Sequence, residues 1–203
     1  MSGPAHPDAP PEAEGLADWR ILVLAAGQGR RFGSDKRTAR LADGRTLLET
    51  SLAPFTPWKG QLEVMLGPAD QRLSKRLAQL GWDNRTAPNA GLGMGATLSD
   101  AVAGLAPQAR GCLIALGDMP WIRSDSIARV LSAAMRFPLV VPRNQGRWGH
   151  PRAFSAAYFP RLTQAQDDTG ARGLLSAERS RIHFVDVEDS GIVQDVDCRD
   201  DLF

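Results

Sequence analysis

Short apolar runs alternate with amphipathic stretches along this chain, and turn or cap signals separate them. Ile21–Leu24 is continuously apolar and predicts a strand covered on both faces. Thr46 and Glu49 have the T-x-x-E spacing of a capping box, so a helix opens there, and Pro54 closes it. Leu62–Leu66 predicts the second strand. Asp70 is placed to cap a helix whose Leu73, Leu77 and Leu80 share one face before Gly81 stops it. The glycine-rich segment from Gly91 to Leu98 precedes a helix with Leu98, Val102 and Leu105 turned inward. Cys112–Leu116 is a buried run ending in Gly117-Asp118. Ser124 then begins a helix carrying Ile127, Val130, Leu131 and Ala134 on its inner face. Leu139–Val141, Arg152–Phe154, Ile182–Val187 and Ile192–Val196 supply the later strands. No internal repeat is visible. Alternation of this kind predicts an α/β fold: a mostly parallel sheet with helices on both faces and ligands at the carboxyl ends of the strands.

Composition narrows the partners. With 203 residues, 43% of them apolar, the chain is long enough for one full core, and a second domain would be crowded. The division expected is a flexible tail over 1–18, rich in Pro, Ala and acid, and one domain over 19–203. A net charge of +1 leaves no general footprint for nucleic acid or an anionic membrane, so anion binding must be local. Cys112 and Cys198 are far apart and lack metal-ligand spacing; a reducing cytoplasm fits them. The N-terminal stretch has neither the basic-then-apolar order of a signal peptide nor a membrane span.

The local anion site predicted is Leu22–Lys36, LVLAAGQGRRFGSDK. Its glycines let backbone N–H groups approach phosphate oxygens directly behind a strand. Gly27, Gly29 and Gly33 give G-x-G-x-x-x-G rather than the dinucleotide-binding G-x-G-x-x-G. Lys36 has no preceding glycine and is followed by Arg37, which excludes a Walker loop. What remains is a long loop in which amides of Ala25, Ala26, Gly27 and Gly29 cradle a phosphate chain under Arg30, Arg31 and Lys36. The competing reading is an ordinary glycine-rich turn with solvated basic residues. Asp118, at the end of an apolar strand, suits Mg²⁺ as a hard oxygen ligand, or else stabilises the turn before Met119-Pro120.

LAAGQGRRFGSDK resembles the signature loop, of form LAxGxGxRxGxxK, of MobA-like nucleotidyltransferases, and within them the molybdenum cofactor cytidylyltransferases. GMGATLSDAV from Gly93, LGDMPWI from Leu116 and GHPRAFS from Gly149 resemble the same group in the same order. The resemblance implies a single-domain Rossmann-like nucleotidyltransferase fold. It implies Arg31, Lys36 and Asp118 as catalytic residues, with Leu24, Ala25, Ala26, Gly27, Gly29, Arg30, Lys36, Gly93, Gly95 and Thr97 around the nucleotide. It implies Mg²⁺ on Asp118, with a second ligand from Asp195-Val196-Asp197, where Asp197 is preferred and its alternative role is a helix cap. That segment reads DVDCRDDL where relatives read DIDTPEDL or NINTPEDL, and Ala96-Thr97-Leu98 stands where relatives often carry Ser-Ser-Leu.

The same resemblance puts Arg147, Trp148 and His150 beside the acceptor, and matches Asp168–Arg172, DTGAR, to a family loop in which Asp167 replaces glycine; Asp168 as a surface N-cap is the alternative. His6 and His183 carry no assignment. The implied reaction is transfer of CMP from CTP to molybdopterin-bound molybdenum with release of pyrophosphate, and the implied partner is a recipient molybdoenzyme. Leu-Ala-Ala-Gly favours cytidine, since guanylyl-transferring relatives more usually read Leu-Ala-Gly-Gly. A guanylyltransferase, a sugar-phosphate nucleotidyltransferase and a non-catalytic cofactor carrier stay open, although a carrier needs neither Lys36 nor Asp118.

Overall fold

A computed structural model describes residues 16–27, 35–165, 170–198 and 201. The strands are β1 (Trp19–Leu24), β2 (Leu62–Leu66), β3 (Asp83–Thr86), β4 (Gly111–Leu116), β5 (Leu139–Asn144), β6 (Arg147–Trp148), β7 (Arg152–Ser155) and β8 (His183–Asp186). The helices are α1 (Leu47–Leu52), α2 (Gln71–Gln79), α3 (Met94–Ala103), α4 (Ser124–Ala134), α5 (Phe159–Leu162) and α6 (Arg172–Ala177). The strands form one sheet in the order β3-β2-β1-β4-β7-β5-β6, with β8 also pairing β5. β3, β2, β1 and β4 run parallel to one another, as do β5 and β8, whereas β7 lies antiparallel between β4 and β5. The sheet is mostly parallel and carries helices on both faces, in one domain, as the sequence predicts. Among the described residues no helix is long and apolar enough to cross a membrane.

Strand alternation divides the core into two layers. Ile21 and Val23 of β1 join Leu48, Leu77 and Ile127 under α1, α2 and α4, while Leu22 and Leu24 join Leu98, Phe154 and Leu175 under α3 and α6. Leu16 is buried in the first layer and its carbonyl accepts from Gln61 Nε2, so the expected tail boundary at 18 is corrected: the packed domain already includes Leu16. Chain order places the ligand edge: β1 is followed by β2 and β3 on one side, and the chain then returns to its other side as β4. The carboxyl ends of β1 and β4 therefore flank a topological switch point.

Several local expectations need correction. α1 has the expected capping box, but it ends at Leu52 and continues as a 3₁₀ turn over Ala53–Gln61 through Pro54 and Pro57. Asp70 occupies the N-cap position of α2 without a side-chain cap bond, because its carboxylate is engaged by Arg37 and by the Gly67 N–H. The helix after Gly93 begins at Met94, inside the segment read as loop. Ile192–Val196 is not a strand: Ser190–Val193 forms a 3₁₀ turn, because the Asp189 carboxylate accepts from Gly191 N–H. That same carboxylate receives the Arg123 N–H and the Ser126 hydroxyl at the start of α4. The C-terminal segment is thereby pinned beside β4, and only glycine fits at 191, where a Cβ would fall 2.1 Å from the Trp121 carbonyl oxygen. β3 and β6 were not anticipated; β3 is a short polar edge with no apolar alternation to reveal it.

Candidate active site

β1 and β4 pair in register through Leu24 and Leu116, so both strands release the chain at the same edge. The Gly117 N–H donates to Leu24 O at 3.0 Å, and the Ala25 N–H donates to Met65 O at 2.9 Å. A Cβ at Gly117 would lie 2.8 Å from that of Ala25, so glycine lets the two strand exits meet. A cleft of about 410 Å³ opens there. It is lined by Leu24–Gly27 and Leu116–Asp118 from the strand ends, by Ala90, Gly93, Met94 and Thr97 around the start of α3, and by Lys36, Arg37, Asp195 and Asp197. Gly93 has φ 121°, a conformation L side chains rarely adopt, so glycine is required where α3 turns into the cleft.

Lys36 and Asp118, 82 residues apart, meet in this cleft. Lys36 Nζ donates to Asp118 Oδ2 and to Val196 O, both at 2.8 Å, and lies 3.6 Å from Asp197 Oδ1. The Val196 N–H donates to the Asp118 carbonyl at 3.0 Å, which holds the C-terminal segment against the β4 exit. Asp197 and Cys198 N–H groups both donate to the Asp201 carboxylate. Asp195 lines the same cleft; its carboxyl is held above the usual range, first by desolvation and then by the charges of Asp118 and Asp197. Among the described residues, Asp118, Asp195 and Asp197 thus share the cleft with Lys36 and with Arg37, whose charge is already paired with Asp35 and Asp70.

Asp118 Oδ1 is buried and has no hydrogen-bond partner among the described residues. An orphaned carboxylate oxygen is costly unless something electropositive meets it. Among the described residues no three carboxylate, imidazole or thiol groups are gathered so as to cage a metal, so Asp118 and Asp197 would supply only the one or two carboxylates that Mg²⁺ takes from protein before completing its shell with water and phosphate. The residues present therefore fit a divalent cation.

Arg37 supplies what sequence reasoning missed. Its side chain is buried, and its guanidinium bonds both oxygens of Asp35 and both of Asp70 while donating to Ala25 O at 2.7 Å. Burial opposes this charge, but the hydrogen bonds and Coulombic attraction of Asp70 and Asp35 outweigh it, and the net shift raises the guanidinium pKa. Asp35 also caps the 3₁₀ turn Lys36–Thr38 through the Arg37 N–H. Arg37 thus ties the β1 exit, the turn bearing Lys36 and the start of α2 into one unit. Its proximity to Lys36 was the available signal; its partner Asp70 looked like a helix cap.

The other expected residues are distributed unevenly. Leu24, Ala25, Ala26, Gly27, Gly93 and Thr97 line the cleft. The buried Thr97 donates its hydroxyl to Gly93 O at 3.2 Å. Gly95 is buried in the first turn of α3 and does not line the cleft. Gly29, Arg30, Arg31, Gly33, Asp167 and Asp168 lie outside the described residues. Trp148 and His150 are not among the residues lining this cleft. The Trp148 ring packs on Phe184 at 5.3 Å with the Arg179 guanidinium 5.3 Å above it, and Arg147 reaches Val193 O. His150 Nδ1 faces Ile114 O at 3.4 Å; desolvation first, then the charge of Arg152, keeps its pKa well below the ordinary histidine value.

Residues 21–182 match the MobA-like NTP transferase domain. The chain is 26% identical over 182 residues to the molybdenum cofactor cytidylyltransferase of Escherichia coli (strain K12), covering 89% of this chain and 92% of that one. It is also 26% identical over 202 residues to nicotine blue oxidoreductase of Paenarthrobacter nicotinovorans, covering 90% and 93%. Among solved structures, Rv0371C of Mycobacterium tuberculosis in complex with manganese aligns with a TM-score of 0.74 and 26% identity over 90% of this chain and 95% of that one. The mostly parallel sheet, the cleft at its switch point and the match to 21–182 agree: this chain belongs to the MobA-like NTP transferase family.

Proposed function

We propose that this nucleotidyltransferase moves CMP from CTP to a phosphorylated acceptor, molybdopterin-bound molybdenum, and releases pyrophosphate. The observation carrying the reading is the meeting of Lys36, Asp118 and Asp197 at the exits of β1 and β4, with one Asp118 oxygen left unpartnered among the described residues. Attack on an α-phosphate needs charge stabilisation and alignment rather than a nucleophilic side chain. The Ala25 amide already donates to Met65 O, so it is the backbone amides of Ala26 and Gly27 that bind the phosphate chain, and Lys36 turns from Asp118 toward its oxygens. Gly93 and Thr97 bound the space for ribose and base. The acceptor's terminal phosphate approaches in line, opposite the pyrophosphate that leaves.

Asp118 and Asp197, with Asp195 beside them, would hold Mg²⁺. When bound, that ion supplies positive charge that a triphosphate needs beside the carboxylates of Asp118, Asp195 and Asp197. The structurally similar Rv0371C was solved as a complex with manganese, which supports a divalent ion in this fold. The choice of CTP rests on the cytidylyltransferase activity named for the E. coli relative and on Ala26, a cleft-lining residue where the resemblance puts glycine in guanylyl-transferring enzymes.

The test is pyrophosphate release from purified protein with Mg²⁺ and molybdopterin-bound molybdenum, with CTP, GTP, ATP and UTP supplied separately. Release with CTP alone is expected. Release with GTP moves the assignment to guanylyl transfer, and no release with any of the four contradicts the proposed donor and acceptor pair.

A further inference from the structure

Arg85 leaves the polar edge strand β3 and meets two other elements. Its Nε and Nη2 donate to Glu63 Oε2 of β2 at 2.9 and 2.8 Å, while Nη1 and Nη2 donate to the carbonyls of Asp100 and Ala101 at 3.2 and 2.9 Å. Those carbonyls lie in the last turn of α3, where intrahelical donors run out and a cation meets the negative end of the helix dipole. A Cβ at Gly104 would fall 1.7 Å from Arg85 Nη1, so glycine directly after the helix admits the guanidinium. Asp100 is thereby braced from the sheet edge through its carbonyl.

The Asp100 carboxylate grips Asn89 with both oxygens. Oδ2 accepts the Asn89 N–H and Oδ1 the Asn89 side-chain amide, both at 2.8 Å and across 11 positions of sequence. Asn89 precedes the 3₁₀ turn Ala90–Leu92, and Ala90, Gly93 and Met94 line the cleft that holds Lys36 and Asp118. Among the described residues, the backbone hydrogen bonds of residues 89–93 run only to positions three or four away. The grip of Asp100 therefore sets where this turn stands against α3. Met94 is 44% exposed, and the side chains of Ala90, Gly93 and Met94 carry no charge, so this wall suits the apolar face of a base rather than a phosphate. We propose that Asp100 is a positioning residue for nucleotidyl transfer: an Arg85–Asp100 strut holds the turn Ala90–Leu92 where the cleft wall meets the nucleobase. Resting on the nucleotidyl-transfer reading, the strut acts on base and ribose, while Lys36 serves the triphosphate.

The experiment titrates CTP and inorganic tripolyphosphate, each with Mg²⁺, calorimetrically into the full chain for wild type, Asp100→Ala, Asn89→Ala and the double variant. Asp100→Ala should weaken CTP binding by about fivefold, the scale of hydrogen bonds lost at a solvent-accessible site, and leave tripolyphosphate binding unchanged. Asn89→Ala truncates an exposed side chain and keeps the backbone N–H, so it should show a smaller loss, again for CTP alone. The double variant should lose no more than Asp100→Ala, because the two residues make one contact. Unchanged CTP affinity in Asp100→Ala and Asn89→Ala, or equal loss of CTP and tripolyphosphate binding, overturns the strut alone. Wild type that binds none of CTP, GTP, ATP and UTP overturns the nucleotide reading itself, and the strut with it.

Discussion

Arg37→Met removes the guanidinium that joins Ala25 O, Asp35 and Asp70 while keeping most of the buried aliphatic volume. Asp35 is more than a third exposed, so water takes over its lost bonds at little cost, and its share is discounted. Asp70 is only 12% exposed and keeps the Gly67 N–H as donor, so its charge loses most of its compensation. Breaking one partner of a buried pair costs about 3–5 kcal/mol. With the exposed half discounted and the orphaned Ala25 carbonyl counted at about 1 kcal/mol, a total of about 3 kcal/mol follows. For a domain of this size that lowers the melting temperature by roughly 6–12 °C.

The same variant should bind CTP more weakly, because the β1 exit is no longer tied to the turn bearing Lys36. Chemical denaturation of Arg37→Met, Asp70→Asn and the double variant measures the coupling directly. A loss below about 1 kcal/mol for Arg37→Met, or strictly additive losses in the double variant, refutes the clamp.

Glu49→Gln tests the capping box of α1. The Thr46 N–H, followed by Arg76, holds the Glu49 carboxyl below its usual range, so the folded state favours the carboxylate. Its contribution, about 0.5–1 kcal/mol, is present above the unfolded value near 4.5 and fades as pH falls through the lowered folded value; stability curves of both proteins across the acid range should converge there. His150 has a depressed pKa, so the unfolded chain takes the proton first and stability falls as pH drops below about 6.5. Its ring protons should show no NMR titration midpoint near that value in the folded protein, and an ordinary midpoint contradicts its placement against Ile114. Gly191→Ala should cost about 1–3 kcal/mol in denaturation experiments, since the new Cβ meets the Trp121 carbonyl and displaces the segment carrying Asp195 and Asp197.

How much of this was legible in sequence depends on how local the determining interactions are. Leu62–Leu66 appears with the predicted bounds, and the Thr46–Glu49 box forms as read, because apolar runs and caps are written within a few residues. Asp118 was legible as a residue at the end of a buried strand. The clamp was not, since Arg37 and Asp70 are 33 residues apart and Asp70 has the spacing of a helix cap. The 3₁₀ turn after Asp189 was missed for a similar reason: Ile192 and Val196 suggest a strand, while the deciding contact is a carboxylate shared with the start of α4. Trp148 and His150 were legible as acceptor candidates only through the resemblance, because their packing on Phe184 and against Ile114 is set by partners dozens of residues away.

The most direct test of the central claim is calorimetric titration of CTP with and without Mg²⁺ into wild type, Lys36→Met and Asp118→Asn. The account predicts Mg²⁺-dependent binding by wild type, loss of that dependence in Asp118→Asn, and affinity reduced by about tenfold or more in Lys36→Met. Unchanged, Mg²⁺-dependent affinity in both variants would contradict the assignment of this cleft to the triphosphate and its metal.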